Sequence, residues 1–176
     1  MGIARFGLGT AFAGVLALVP ILLVSDSAPA QEIPRTAGET LSGKSIVLAD
    51  EVRGHTVVLV AGFSREGGNG AGALVKSIHA DAALNGVAVY EIAQLAGAPS
   101  LIRGMIKSGM RKGVPSAEQN NFVVLTQDEK PWRAYFEVSD DQVPYVVLID
   151  ATGKVLWRGH GQAAELEPLL RASLPR

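Results

Sequence analysis

Apolar residues fall along this chain in two periods, and the change from one to the other marks its elements. Over residues 56–63, TVVLVAGF, nearly every position is apolar and many are β-branched, as in a strand covered on both faces of a parallel sheet. From Gly70 onward Ala71, Leu74, Val75, Ile78 and Ala82 recur at helical spacing, with Lys76 and His79 on other faces. Asn85-Gly86 closes that helix, and VAVYEI (87–92) gives a second buried strand. Ser100 then caps a helix whose stripe is Leu101, Ile102, Met105 and Ile106; Gly104 and Gly109 weaken it, and Arg103, Lys107, Arg111 and Lys112 give it a basic side. NNFVVLTQD supplies a third strand, and EKPWRAYFEV, with Pro131 near its start, a short helix. VPYVVLID and KVLWRGHG are the arms of a β-hairpin with Gly153 at the end of its turn. A last helix carries Leu166, Leu169, Leu170 and Leu174, and Pro168 within it is expected to bend or break it. Upstream, a short strand is expected over 46–48, while QEIPRTAGETLSG (31–43) has no period and reads as a linker.

This order, β, β, α, β, α, β, α, β, β, α, specifies an α/β fold for a domain over 44–176. It has a mixed central sheet, helices on both faces, and a C-terminal β-hairpin followed by a helix. Residues 1–30 are of a different kind. Arg5 precedes an apolar run over 6–24, and Ala28 and Ala30 form an A-x-A-like site before Gln31. The segment reads as a cleaved signal peptide or, with 6–24 as the span, as an anchor in the inner membrane. Either way the domain is expected to be periplasmic or otherwise extracytoplasmic.

Composition narrows the chemistry. Hydrophobic residues make up 48% of the chain and aromatics 6%, so the core is aliphatic. The formal net charge of -1, with no long run of one sign, supplies no basic face, and no nucleic-acid partner is expected. There is no cysteine, which excludes thiol peroxidase and thiol oxidoreductase activity. GGNGAG has glycines suited to an anion at a helix start, but lacks the Lys-Ser/Thr pair of a nucleotide loop. A weaker anion site at Ser64 and Arg65 stays open. His55, His79 and His160 are not at metal-ligand spacing, so neither metal nor other cofactor is assigned. Ser64 lacks the setting of a hydrolase nucleophile, and Asp81, Glu91, Asp128 and Asp150 are scattered, so no catalytic residue is assigned. Trp132, Tyr135, Phe136 and Trp157 either line a peptide groove or belong to the core.

Over residues 41–174 the chain resembles the thioredoxin-like superfamily. LSGKSIVLADEVRGHTVVLVAGFS is similar to the opening of peroxiredoxins and membrane-tethered thiol oxidoreductases, QVPYVVLID to the cis-proline loop, and ATGKVLWRGHG to the terminal hairpin. In active members two cysteines follow the central strand, at a helix end whose partial positive charge stabilises a thiolate. The resemblance puts that motif on GGNG (67–70), with glycine at both cysteine positions. A narrower resemblance, to the assembly factor of the mitochondrial F-type ATP synthase, rests on RGMIKSGMRKGVP and on Tyr145, Val146, Leu148, Asp150, Gly153, Trp157, Gly161, Ala163 and Glu165. Together these imply a redox-inactive, exported thioredoxin-fold protein that binds another protein as an assembly factor or chaperone, the partner being a membrane protein or a membrane complex such as ATP synthase. The implied peptide-binding residues are Gly67, Gly68, Asn69, Gly70, Val143 and Pro144, with the basic 103–112 helix nearby. A cis-proline loop offers a backbone edge to which an extended peptide adds as a strand. The alternative is an enzyme or small-anion-binding protein using Ser64, Arg65 or Glu66 in a 64–70 loop.

Overall fold

A computed structural model describes residues 32–175, so the apolar run over 6–24 lies outside the described residues. These form a seven-stranded mixed sheet in the order β2-β1-β5-β4-β3-β6-β7. The strands are β1 (Ala37–Thr40), β2 (Ser45–Val47), β3 (Val57–Gly62), β4 (Ala88–Gln94), β5 (Phe122–Leu125), β6 (Tyr145–Ile149) and β7 (Val155–His160). Strands β3, β4 and β5 run parallel, as the strand–helix–strand units require, and the other pairings are antiparallel. The helices are α1 (Leu48–Glu51), α2 (Arg65–Ala80), α3 (Ser100–Gly113), α4 (Glu129–Phe136) and α5 (Ala163–Ser173).

Strand alternation divides the core between two faces. Val58 and Val60 of β3, Val89 of β4, and Val146 and Leu148 of β6 pack under α2 and α5, against Leu74, Ile78, Leu166 and Leu170. Val57, Leu59, Val123, Val147 and Ile149 point the other way and pack with α1 and α4. There Trp132, Tyr135 and Phe136 are buried, so these aromatics are core and line no groove; only Trp157 of that group stays partly open. A smaller cluster, Leu41, Ala93, Phe122 and Val124, sits on the α2 side of the sheet, with Met110 and Val114 over it.

Three sequence expectations change. The segment read as a linker over 31–43 enters the sheet at 37–40, between β2 and β5. It shows no apolar period because its buried positions include threonines with partners of their own. Thr40 Oγ1 accepts from Lys44 N at 3.0 Å, and Thr36 Oγ1 donates to Asp128 Oδ2 at 3.0 Å. Gly38 is there for closeness: a Cβ on it would lie 2.7 Å from Val123 Cγ1. Next, α5 runs through Pro168 as one helix, tied to the domain by the buried Leu166 and Leu170, while Leu169 is exposed. Finally, every peptide bond of the described residues is trans, that to Pro144 included, so there is no cis-proline loop.

The segment before Pro144 is fixed by other means. Tyr145 Oη accepts from the backbone N–H groups of Ser139 (2.9 Å) and Asp140 (2.8 Å) and donates to the Asp140 carbonyl (3.0 Å). Arg133 grips both oxygens of Asp141 at 2.7 Å and Glu129 at 2.7 Å, its guanidinium lying over the Phe63 ring. Removing the hydroxyl in Tyr145→Phe strands two backbone donors in a half-buried site. The expected loss of stability is about 1–3 kcal/mol, read from urea unfolding midpoints at unchanged slope.

Candidate functional site: the start of α2 and the cleft beside it

The Gly-rich stretch is not a loop. Helix α2 begins at Arg65, so 67–70 lie in its first turns. Ser64 caps it: its Oγ accepts from Gly67 N at 3.1 Å and donates to the Asp141 carbonyl at 2.6 Å. Glycine is a poor helix former, so the reason for four glycines between 62 and 70 must be tertiary. The reason is close backbone approach. A Cβ on Gly62 would lie 2.4 Å from Gly68 Cα, on Gly67 2.6 Å from the Asp141 carbonyl oxygen, and on Gly70 2.7 Å from Pro144 Cδ. The start of α2 is thus laid directly on the end of β3 and on the 141–144 segment. At Gly68 an added Cβ meets nothing.

The expected peptide-binding residues therefore separate into two groups. Gly67, Gly70, Val143 and Pro144 face one another, with Gly67 and Pro144 buried and the Pro144 carbonyl accepting from Gly161 N at 3.2 Å. Gly68 and Asn69 face the other way, into a cleft of about 980 Å³ together with Ser64 and Arg65. The hydroxyl of Ser64 is already committed to the cap and to Asp141.

The cleft lies between α2 and α3 on one face of the sheet. Its α2 wall carries Gly68, Gly72, Val75 and Lys76; its α3 wall carries Ile106, Gly109, Met110 and Gly113. Strand β4, at the centre of the sheet, provides the floor. By strand alternation Val89, Glu91 and Ala93 share the face turned to this cleft, which places a carboxyl among apolar neighbours. Burial pushes Glu91 up to about 7, Glu118 nearby adds to the rise, and Lys76 opposes it. Glu118 itself lies 3.6 Å from His79 Nδ1. The histidines are dispersed: His160 stacks on Tyr145 at 5.3 Å, far along the sheet from His79.

Sequence reasoning passed over Glu91 as one scattered carboxylate. The signal was present in VAVYEIAQ: an acidic residue at a position whose strand neighbours two away, Val89 and Ala93, are buried. Helix α3 also differs from its expected role. Of its basic residues, Arg103 donates to the carbonyls of Ala98 (2.8 Å) and Ala96 (2.9 Å), Lys107 pairs with Glu39 at 2.7 Å, and Arg111 donates to the Leu41 carbonyl at 2.7 Å. They fasten the helix. Beside Ser108 and Lys112 it also exposes large apolar side chains, Leu101 at 95% and Met105 at 70%.

No protein-family model matches the sequence, nor does any curated protein. Solved structures do match in shape. A protein described as the thiol:disulfide interchange protein DsbE of Chlorobium tepidum superposes with a TM-score of 0.56 at 22% identity, over 82% of this chain and 96% of that one. The exposed lipoprotein thioredoxin Etrx1 of Streptococcus pneumoniae gives 0.50 at 18% identity, over 77% and 97%. BsSco, a member of the Sco family of cytochrome c oxidase assembly proteins, gives 0.53 at 13%, over 81% and 92%. The chain has a thioredoxin-like fold, and it has no cysteine.

Two consequences can be measured. Gly67→Ala and Gly70→Ala drive a methyl into backbone or ring and are expected to cost about 1–3 kcal/mol each. Gly68→Ala, in open space on the same helix, is expected to gain about 0.5–1 kcal/mol. Denaturant unfolding of the three variants checks this; equal effects would remove the packing explanation. The Glu91 carboxyl has an ordinary value of 4.5 and about 7 in the folded chain. Between these pH values the folded state holds a proton that the unfolded state has lost. Its contribution to stability is therefore present below pH 4.5 and is lost as pH rises to 7, by about 3 kcal/mol at most. Glu91→Gln should flatten that part of the stability–pH curve and be the more stable protein above pH 7.

Proposed function

We propose that this chain is an exported, redox-inactive thioredoxin-fold protein that binds another polypeptide, in the manner of an assembly factor or chaperone, through the cleft between α2 and α3. The observation that carries this reading is the state of α3. None of its residues is buried, yet it bears Leu101, Ile102, Met105, Ile106 and Met110. Helical spacing puts Ile102, Ile106 and Met110 on one stripe, with Ile106 and Met110 lining the cleft, and Met105, next to Ile106 in the helix, is exposed. A contiguous apolar surface left open beside a cavity of this size marks a place where a partner is received.

Other observations point the same way. With Arg103, Lys107 and Arg111 tied within the domain, α3 offers little free positive charge to an anionic partner. At the start of α2 the helix cap already uses the Ser64 hydroxyl, which removes support from an anion site or non-thiol chemistry at Ser64 and Arg65. In the binding reading Gly68 and Asn69 form part of the wall, and Gly67, Gly70, Val143 and Pro144 set that wall's position from behind. An extracytoplasmic setting is supported by the N-terminal signal-like segment and by the likeness to an exposed lipoprotein thioredoxin. The assembly-factor reading is supported by the likeness to an assembly protein and by the hairpin resemblance. A membrane protein, such as a subunit of an ATP synthase, is the class of client this favours.

The test is site-specific photo-crosslinking in cells, with p-benzoylphenylalanine at Met105 and, as a control, at Leu169 on α5, which is also exposed. Defined polypeptide adducts are expected at position 105, absent at 169 and abolished by Ile106→Glu. No adduct at 105, or the same adducts at both positions, would rule the cleft out as the binding surface.

A further inference from the structure

Glu91 is in an unusual position for a carboxylate. It stands on β4, the middle strand of seven, between Val89 and Ala93 on the same face, and both of those are buried. Among the described residues its side chain makes no hydrogen bond and no ion pair. Glu91 is half-buried, and a carboxyl that gives up part of its hydration without a partner bears a cost that Val, Ile or Ala at an interior strand position does not. The cost is retained here at one place, the floor of the cleft.

The surroundings of the carboxyl describe what could satisfy it. Gly72 of α2 lies directly beside the carboxyl: a methyl there would be in van der Waals contact with Glu91 Oε1, at 3.6 Å. On that side α2 packs against the carboxyl, so the approach to it runs through the cleft between α2 and α3. Around that approach the walls are aliphatic and aromatic: Val75, Ile92, Ile106, Met110, Val114 and Phe122. A second carboxylate, Glu118, lies close enough to raise the proton affinity of Glu91 and lines the same cavity. The cationic groups that face Glu91 are Lys76, which lines the cleft from an exposed position without pairing, and His79, which is turned to Glu118. Arg65 lies at the far end, at the first residue of α2.

An apolar channel that ends on two carboxyls fits a side chain with a long aliphatic stem and a positive tip. We propose that the cleft takes a lysine or arginine side chain of the bound polypeptide, its cationic end reaching Glu91 and its stem lying between Val75 and the α3 stripe. This rests on the cleft being a polypeptide site and names what the site selects. It assigns Glu91 as the specificity residue and Glu118 as its supporting charge.

Selection from a random-peptide library on the immobilised full domain tests this. Peptides are expected to be enriched for Lys or Arg at one fixed position. Replacing that residue by norleucine, which keeps the stem and drops the charge, should weaken binding about tenfold or more. Glu91→Gln should abolish the difference. Lys76→Ala should leave the preference in place. If peptides are selected without a basic residue, or the preference survives Glu91→Gln, this assignment fails while the polypeptide-binding reading stands. If the preference disappears in Lys76→Ala, Lys76 rather than a ligand is the partner of Glu91, and the assignment fails equally. If no peptide is selected at all, the polypeptide-binding reading falls and takes this assignment with it.

Discussion

The contact on which the rest of this domain depends is backbone laid on backbone where β3 ends and α2 begins. Gly62 meets Gly68 with no side chain between them, and Gly67 and Gly70 bring the same turns of helix against the Asp141 carbonyl and the Pro144 ring. That contact holds α2 low over the sheet, and the space left beyond its outer wall is the cleft. It also governs the chemistry. The resemblance in sequence puts the two cysteine positions of active thioredoxin-like proteins at Gly67 and Gly70. Here that place is taken up by neighbouring backbone, so the missing nucleophile is matched by a missing space. Serine at the cap and the Arg133–Asp141 pair then lock the second partner of the contact, the 141–144 segment, in place.

A tight joint on one side of α2 and an open wall on the other divide the domain energetically. The faces built on β3 and β6 are fully buried and apolar, aliphatic under α2 and α5 and partly aromatic under α4, and there the hydrophobic effect contributes about 25 cal/mol for each Å² of apolar surface removed from water. The α3 side is different. Its helix buries nothing completely, and a carboxyl occupies the strand beneath it. Core packing elsewhere tolerates this departure.

What could be read in the sequence follows from how strongly each element is specified by its own residues. Strand β3 and the buried stripe of α2, Ala71, Leu74, Val75 and Ile78, were legible because burial there is achieved with apolar side chains alone. So was the hairpin, where Asp150 Oδ1 accepts from Thr152 and Lys154 and Gly153 adopts a positive φ of 87°. Strand β1 was hidden because its one buried side chain is that of Thr40 and its closest approach uses Gly38. The true start of α2 was hidden for a related reason: glycine reads locally as a helix breaker, and only the tertiary fit shows why it is needed. Pro144 was placed correctly in order but not in geometry. Glu91 was visible in the string of letters and invisible as a site, since its meaning depends on α2 and α3 leaving it uncovered.

The fastening of α3 has a consequence for how the cleft behaves. Buried side chains do not set this helix in place; an ion pair to Glu39 and arginine bonds to carbonyls near both its ends do so, with Met110 only partly covered. Ties of that kind weaken as dissolved ions screen them, whereas the glycine joint of α2 does not. One jaw of the cleft is therefore rigid by sterics and the other is held by charge. Its aperture is a property of the surrounding medium as well as of the sequence.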